Sequence, residues 1–118
     1  MMRQRGFETL SQYKGDEQIT LPNRATKESA GYDIRSAVSC EIEPNEIKLI
    51  PTGIKAYMLH DEVLKIYPRS SLAIKRKAML ANNVGIIDAD YYNNNQNEGH
   101  IMIPLYNFSN NKLTIKKR

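Results

Sequence analysis

Ile47-Lys48-Leu49-Ile50-Pro51-Thr52-Gly53-Ile54-Lys55-Ala56-Tyr57-Met58 alternates apolar and polar residues on both sides of a Pro-Thr-Gly break. Ile47 and Leu49 carry the pattern before the break, and Ile54, Ala56 and Met58 carry it after. A period of two belongs to a half-buried strand. Outward from this stretch the signal repeats. Val38-Ser39-Cys40-Glu41-Ile42 alternates, Val63-Leu64-Lys65-Ile66-Tyr67 reads as a strand, and so does His100-Ile101-Met102-Ile103-Pro104-Leu105-Tyr106. Pro51 and Pro104 belong at strand edges or bulges, because proline has no amide proton to give a ladder. Short strands bounded by Gly, Pro, Asn and Asp predict an all-β barrel or sandwich. Helical periodicity is scarce, and one short helix fits Ser70 to Lys77 with a serine cap. The asparagine-rich patch 93–97 reads as an exposed loop.

A chain of 118 residues, 41% hydrophobic and 25% charged, is one ordinary globular domain with a real core. No apolar run approaches a membrane span, and Met1-Met2-Arg3-Gln4-Arg5-Gly6-Phe7 lacks the apolar core of a signal peptide. The single cysteine, Cys40, has no internal partner and reads as a reduced structural thiol, so a cytoplasmic location is expected. No metal-ligand spacing joins it to His60 or His100. The net charge of +4 gathers in Lys75-Arg76-Lys77 and in Lys112 with Lys116-Lys117-Arg118. These runs read as solvated faces. Without interleaved aromatics they suggest no nucleic-acid partner, and a modest positive potential also suits a polyphosphate ligand.

Three segments carry candidate chemistry. In Asn82-Asn83-Val84-Gly85-Ile86-Ile87-Asp88-Ala89-Asp90-Tyr91-Tyr92 an apolar strand runs into two carboxylates and paired aromatics. An acid at the end of an apolar strand is expected to be partly desolvated and so more basic. A rigid element holds it, and an aromatic beside it offers a face to a sugar or base. That kit suits a general base acting on water beside a nucleoside; the same residues also read as a strand ending in a polar turn. In Ala30-Gly31-Tyr32-Asp33-Ile34-Arg35-Ser36-Ala37, Gly31 permits close backbone approach or an unusual φ, and the plain alternative is a strand start. In Tyr67-Pro68-Arg69-Ser70-Ser71-Leu72-Ala73, two hydroxyls open the helix, which fits either an anion contact or a capped turn after proline.

Together, in this order and spacing, these segments resemble the first three signature motifs of the homotrimeric dUTP diphosphatase (dUTPase) family. The resemblance runs from the N-terminal segment to Asn107, and Asp90 to His100 resembles the longer loop of dUTPases from some Gram-positive bacteria and their phages. It implies a distorted jelly-roll-like β-barrel assembled as a trimer. It implies hydrolysis of dUTP to dUMP and pyrophosphate with Mg2+, in which Asp88 activates the attacking water. Asn82, three residues before Gly85, would read the uracil edge, an amide matching the base's acceptor and donor; Asn83 competes for that role. Tyr91 would pack on the deoxyribose and exclude a 2′-hydroxyl. Ser70 and Ser71 would contact phosphates, and Arg69 would hold the catalytic acid through an ion pair. Asp33 would hold magnesium through water, not directly. Met102 lies in the strand whose backbone contacts the base, its side chain expected in the core. Gly85 belongs to the same substrate-binding set.

The resemblance also implies that each site draws on three subunits: the base pocket from one, the serines from a neighbour and a closing arm from a third. Two further family motifs, one resembling Gly-Asp-Arg-Ile-Ala-Gln and one a glycine-rich arm, do not occur in these 118 residues. Residues 1–118 are therefore expected to be a single, C-terminally incomplete dUTPase-like domain, and a poor catalyst alone. The alternatives are an enzyme of the related dCTP deaminase branch, or a trimer that binds nucleotide or protein without turnover.

Overall fold

Both arms around the Pro-Thr-Gly break form strands in the computed structural model, which describes residues 3–117. Met1, Met2 and Arg118, the last residue of the basic run, lie outside the described residues. The strands are β1 (Gly6–Thr9), β2 (Cys40–Ile42), β3 (Ile47–Pro51), β4 (Ile54–Tyr57), β5 (Val63–Ile66), β6 (Ala78–Leu80), β7 (Gly85–Asp88), β8 (Met102–Asn107) and β9 (Leu113–Ile115). They pair antiparallel as β1 with β4, β2 with β9, β5 with β7, and the three-stranded order β3-β8-β6. The fold is all-β, as expected. Among the described residues these small sheets wrap two adjoining cores and do not link into one closed hydrogen-bonded barrel.

One core gathers Ile42, Ile50, Ala78, Leu80, Leu105, Leu113 and Ile115, with Cys40 packed against it as a free thiol. The other centres on Ile54, Ala56 and Ile101, and takes in Phe7, Ile34, Leu64 and Ile87. Ile66 and Ile103 touch both and join them.

The alternation in 47–51 is real, but its faces are reversed. Ile50 is buried, while Ile47 and Leu49 are each 57% exposed. Their register partners on β8 are Tyr106 and Pro104, so the strand sets its apolar side chains on an outer surface. Pro104 also departs from expectation, because β8 is the central strand of its sheet. Its place is tolerable because β6 ends at Leu80, opposite Leu105. The next residue, Ala81, donates its N–H to the Pro104 carbonyl at 2.8 Å. Only the return bond is lost, where that ladder stops.

The helix α1 is shorter than the sequence suggests, Ser70–Ile74, and its N-cap is Arg69 with no side-chain cap bond. Lys77, at φ +54°, turns the chain into β6. The segment after Asp33 forms no strand beyond a bridge between Asn23 and Asp33. The basic runs are also put to use locally. Lys112 pairs with Glu41 and Glu43, Lys117 pairs with Asp16, and the Arg76 guanidinium donates to the Thr114 carbonyl.

Candidate active site

Two of the three motifs meet at one cleft of about 810 Å³, lined by Gly31, Tyr32, Asp33, Arg69 and Ser71. The Asp33 N–H donates to the Asn23 carbonyl at 2.8 Å, which fixes the backbone and leaves the carboxylate half-buried at the cleft. Among the described residues that carboxylate accepts no hydrogen bond and forms no ion pair. Gly31 has neither the unusual φ nor the close approach its sequence suggested. A Cβ there would meet nothing within 4 Å, so its contribution is room at the cleft. Ser70 and Ser71 open α1 and are exposed, their hydroxyls unbonded among the described residues. Ile50, Leu80, Leu105 and Ile115 reach the cleft floor, so it opens directly onto the core.

The third motif lies elsewhere in the chain. In the β5–β7 ladder Asp88 stands opposite Val63 and Gly85 opposite Ile66. Arg69 to Ser71 follow Ile66, so Asp88 sits at the far end of that ladder, about 10 Å along it at roughly 3.3 Å per residue. No Arg69–Asp88 ion pair forms within the chain, among the described residues. Asp88 is exposed. The desolvation expected at the end of an apolar strand is missing because β5 and β7 bury only one face, and Asp88 lies on the other with Val63, Lys65 and Ile86.

The remaining motif residues receive local explanations of different strength. A Cβ on Gly85 would stand 3.1 Å from the Ile66 Cβ, so this glycine lets β5 and β7 close. Asn83 takes φ +65° and donates its N–H to the Leu80 carbonyl at 3.1 Å. That is a turn conformation asparagine tolerates, so the backbone accounts for Asn83. Asn82 is exposed, and among the described residues its side chain has no bond. Met102 is not in either core. It pairs with Pro51 on the outer side of β8, half-buried, while Ile103 and Leu105 point inward.

Tyr91 is the most constrained of the set. Its hydroxyl donates to the His100 carbonyl at 2.6 Å and accepts from Asn97 Nδ2 at 2.8 Å. With both roles filled, only its half-buried ring remains to meet a ligand. The patch 93–97 is no slack loop. Asn94 Oδ1 accepts from the N–H of Gln96 and Asn97, and the Asn93 N–H donates to the Glu98 carbonyl at 2.9 Å.

Sequence reasoning missed the residues behind this loop. Lys55, on the polar side of β4, is only 8% exposed, because the loop covers that face. Its Nζ lies 2.7 Å from Glu98 Oε2 and 2.5 Å from Asn93 Oδ1, and sits over the Tyr92 ring. The Lys55 ammonium and then Ser11, which donates from Oγ and N–H, hold the Glu98 carboxyl down at about 2. The Tyr92 hydroxyl and then Arg3 lower the Glu8 carboxyl beside them. His100 Nε2 accepts from the Gly53 N–H at 3.0 Å, and burial pushes its pKa down, so the ring is neutral. The signal available in sequence was a lysine set between Ile54 and Ala56 in a buried strand.

Residues 17–118 match the family model described as dUTPase. The chain is 50% identical over 116 residues to a deoxyuridine 5′-triphosphate nucleotidohydrolase of Lactococcus lactis, covering 98% of this chain and 77% of that one. It is 39% identical over 102 residues to one of Haemophilus influenzae, covering 84% of this chain and 64% of that one. The dUTPase structure of Streptococcus mutans superposes with a TM-score of 0.89 at 45% identity, covering 95% and 86% of the two chains. A mutant dUTPase of phage phi11 of S. aureus, described as coordinating a structural Mg(II) ion, gives 0.72 at 27% identity, covering 91% of this chain and 61% of that one.

Proposed function

The chain belongs to the dUTPase family, and we propose on that premise that it hydrolyses dUTP to dUMP and pyrophosphate at sites shared between copies of a homotrimer. One observation carries the shared-site reading. Asp33, Arg69 and Ser71 line one cleft while Asp88 and Tyr91 stand outside it. A neighbouring copy that brings its Asp88 to this cleft supplies both the desolvation and the Arg69 partner that the single chain lacks. The exposed Ile47 and Leu49 on β3, with Pro51, Met102 and Pro104 around them, give such an assembly an apolar contact face. The apolar cleft floor favours cover too, by a neighbour or by a further family-like segment packed on the 1–118 domain.

In this reading Asp88 takes a proton from the water that attacks the α-phosphorus. Asn82 reads the uracil edge with its free amide, beside the close β5–β7 approach that Gly85 permits. Ser70 and Ser71 donate to phosphate oxygens, and the Tyr91 ring sets the sugar. Asp33 and the neighbouring Ser71 fit a hydrated magnesium ion, since one unpaired carboxylate suits contact through water. Bound Mg2+ would neutralise phosphate charge and orient the chain for attack. No helix among the described residues is long and apolar enough to cross a membrane. The free Cys40 suits a reducing, cytoplasmic setting.

The test is pyrophosphate release from dUTP with Mg2+, compared with ammonia release from dCTP, in an active parental protein that contains this chain and in its Asp88→Asn variant. Pyrophosphate release abolished by Asp88→Asn is expected. Ammonia from dCTP would move the chain to the deaminase branch.

A further inference from the structure

We propose that Lys55 is a positioning residue for sugar discrimination, acting through a clamp on the loop that fixes the Tyr91 ring; this rests on the proposed sugar-reading role of Tyr91. A steric reader works only if it cannot move, because a small shift of the ring admits the extra hydroxyl it should reject. The Tyr91 hydroxyl is held by Asn97 and His100, and Asn97 is itself held by the loop. Its Oδ1 accepts from the Gly99 N–H at 3.0 Å and from Asn94 Nδ2 at 2.8 Å, which turns Nδ2 toward Tyr91. A Cβ on Gly99 would come within 2.9 Å of the Tyr91 carbonyl, so the loop backbone packs tightly against the Tyr91 backbone.

This shape costs the loop backbone free energy at one stem. Its stems, Asn93 and Glu98, take φ of +56° and +65°. Asparagine tolerates that region and glutamate does not. Lys55 binds both stems at once, Asn93 Oδ1 and Glu98 Oε2. It does so from a strand whose flanking residues, Ile54 and Ala56, are core. A buried lysine is an expensive way to hold a fold, since an apolar side chain of similar volume often serves stability as well. Its two fixed donor bonds make sense where a loop must be held in one register.

The experiment compares parental protein, Lys55→Met, Lys55→Arg, Tyr91→Ala and the Lys55→Met/Tyr91→Ala double variant. The readout is the ratio of Kd for α,β-imido-dUTP and its ribonucleotide counterpart, with Mg2+. Amide hydrogen exchange at Asn93, Asn94 and Glu98 is measured beside it. We expect Lys55→Met to speed exchange at those amides and to lower the selectivity ratio about tenfold through weaker rejection of the ribonucleotide. Lys55→Arg should recover part of the ratio, and in the Tyr91→Ala background Lys55→Met should change it no further. If Tyr91→Ala collapses the ratio while Lys55→Met weakens both ligands equally, Lys55 supports the fold only and the inference is overturned. An intact ratio in Tyr91→Ala removes the sugar-reading role itself, and the inference falls with it by a separate result. Should Lys55→Met not fold, Asn93→Gly removes one arm of the clamp at an exposed position while keeping a residue that accepts φ +56°. It should lower the ratio by a smaller factor, and an unchanged ratio there overturns the clamp.

Discussion

The Tyr91 loop and the Asp33–Ser71 cleft stand at opposite extremes of self-sufficiency. Around Tyr91 the polar groups find partners within the chain: the hydroxyl, the loop amides, the Lys55 ammonium, the Glu98 carboxylate and the neutral His100 ring. At the cleft, Asp33, Ser70, Ser71 and Arg69 have no side-chain bonds among the described residues, Asp88 lies outside it, and the floor is apolar. A buried polar group left unpaired is costly, so one that must be buried in the resting chain is satisfied there. Exposed groups such as Arg69, Ser70 and Ser71 are hydrated instead, and stay available to a ligand or neighbour that displaces the water. On the proposed reading, this contrast means that the chain preorganises the Tyr91 wall by itself and leaves the Asp33–Ser71 cleft to be completed by ligand and neighbour.

The largest expected effect is on the open side. Asp88→Asn should lower turnover by about 10²–10⁴-fold, the usual loss of a general base, with nucleotide affinity within a few-fold of parental. Turnover near the parental rate would remove Asp88 from the chemistry. Next come two apolar truncations that separate the chain's own core from its outward face. Ile101, at 0% exposure, should lose about 2–5 kcal/mol of stability as Ile101→Ala. Leu49→Ala should leave the stability of the isolated chain within about 0.5 kcal/mol and instead weaken association, measured by sedimentation. Equal destabilisation by both would mean that the β3 face is packed within one chain.

The closed side should show itself in pH. His100 has its pKa lowered below the ordinary 6.5 by burial, so the folded state binds fewer protons than the unfolded one. Its contribution is complete above about 6.5 and is lost as pH falls below that value. The Glu98 carboxyl, held at about 2 against an ordinary 4.5, contributes above 4.5 and loses that contribution as pH falls toward 2. As pH falls, the His100 contribution should therefore fade first and the Glu98 contribution second, the latter together with those of the lowered Glu8, Asp16 and Glu62 carboxyls. Lys55→Met should shrink the later fall in Tm, and an unchanged fall would detach Glu98 from Lys55. The smallest effect is expected for Tyr91→Phe, about 1 kcal/mol from the lost hydroxyl bonds, seen by thermal melting.

The strands at 47–51 and 54–57 were legible because alternation reports the strand period directly, and those at 63–66 and 85–88 because they are short, mostly apolar runs. Which face turns inward was not. Ile47 and Leu49 look like core and are outside, since alternation reports a period and not which face turns inward. β1, β6 and β9 were missed because three or four residues outside a longer alternating run hold too little periodicity to register. The resemblance gave Asp33, Arg69, Ser70, Ser71, Asn82, Gly85, Asp88, Tyr91 and Met102 as candidates and a division of each site between copies, but that Asp33, Arg69 and Ser71 line one cleft of a single chain took the three-dimensional structure. Lys55 and Glu98 lie far apart in sequence, and only the covering loop shows that this lysine is buried.

The shared site is tested most directly by mixing two inactive variants of an active parental protein that contains this chain. Asp88→Asn and Ser71→Ala subunits are unfolded together, refolded as a mixture and assayed for Mg2+-dependent pyrophosphate release from dUTP. If Asp88 and Ser71 of one site come from different copies, random trimers regain intact sites, about a quarter of the total, and activity returns well above either variant alone. Activity no higher than that of the separate variants, in mixtures shown to contain mixed trimers, would place Asp88 and Ser71 of each site on the same chain and contradict the account.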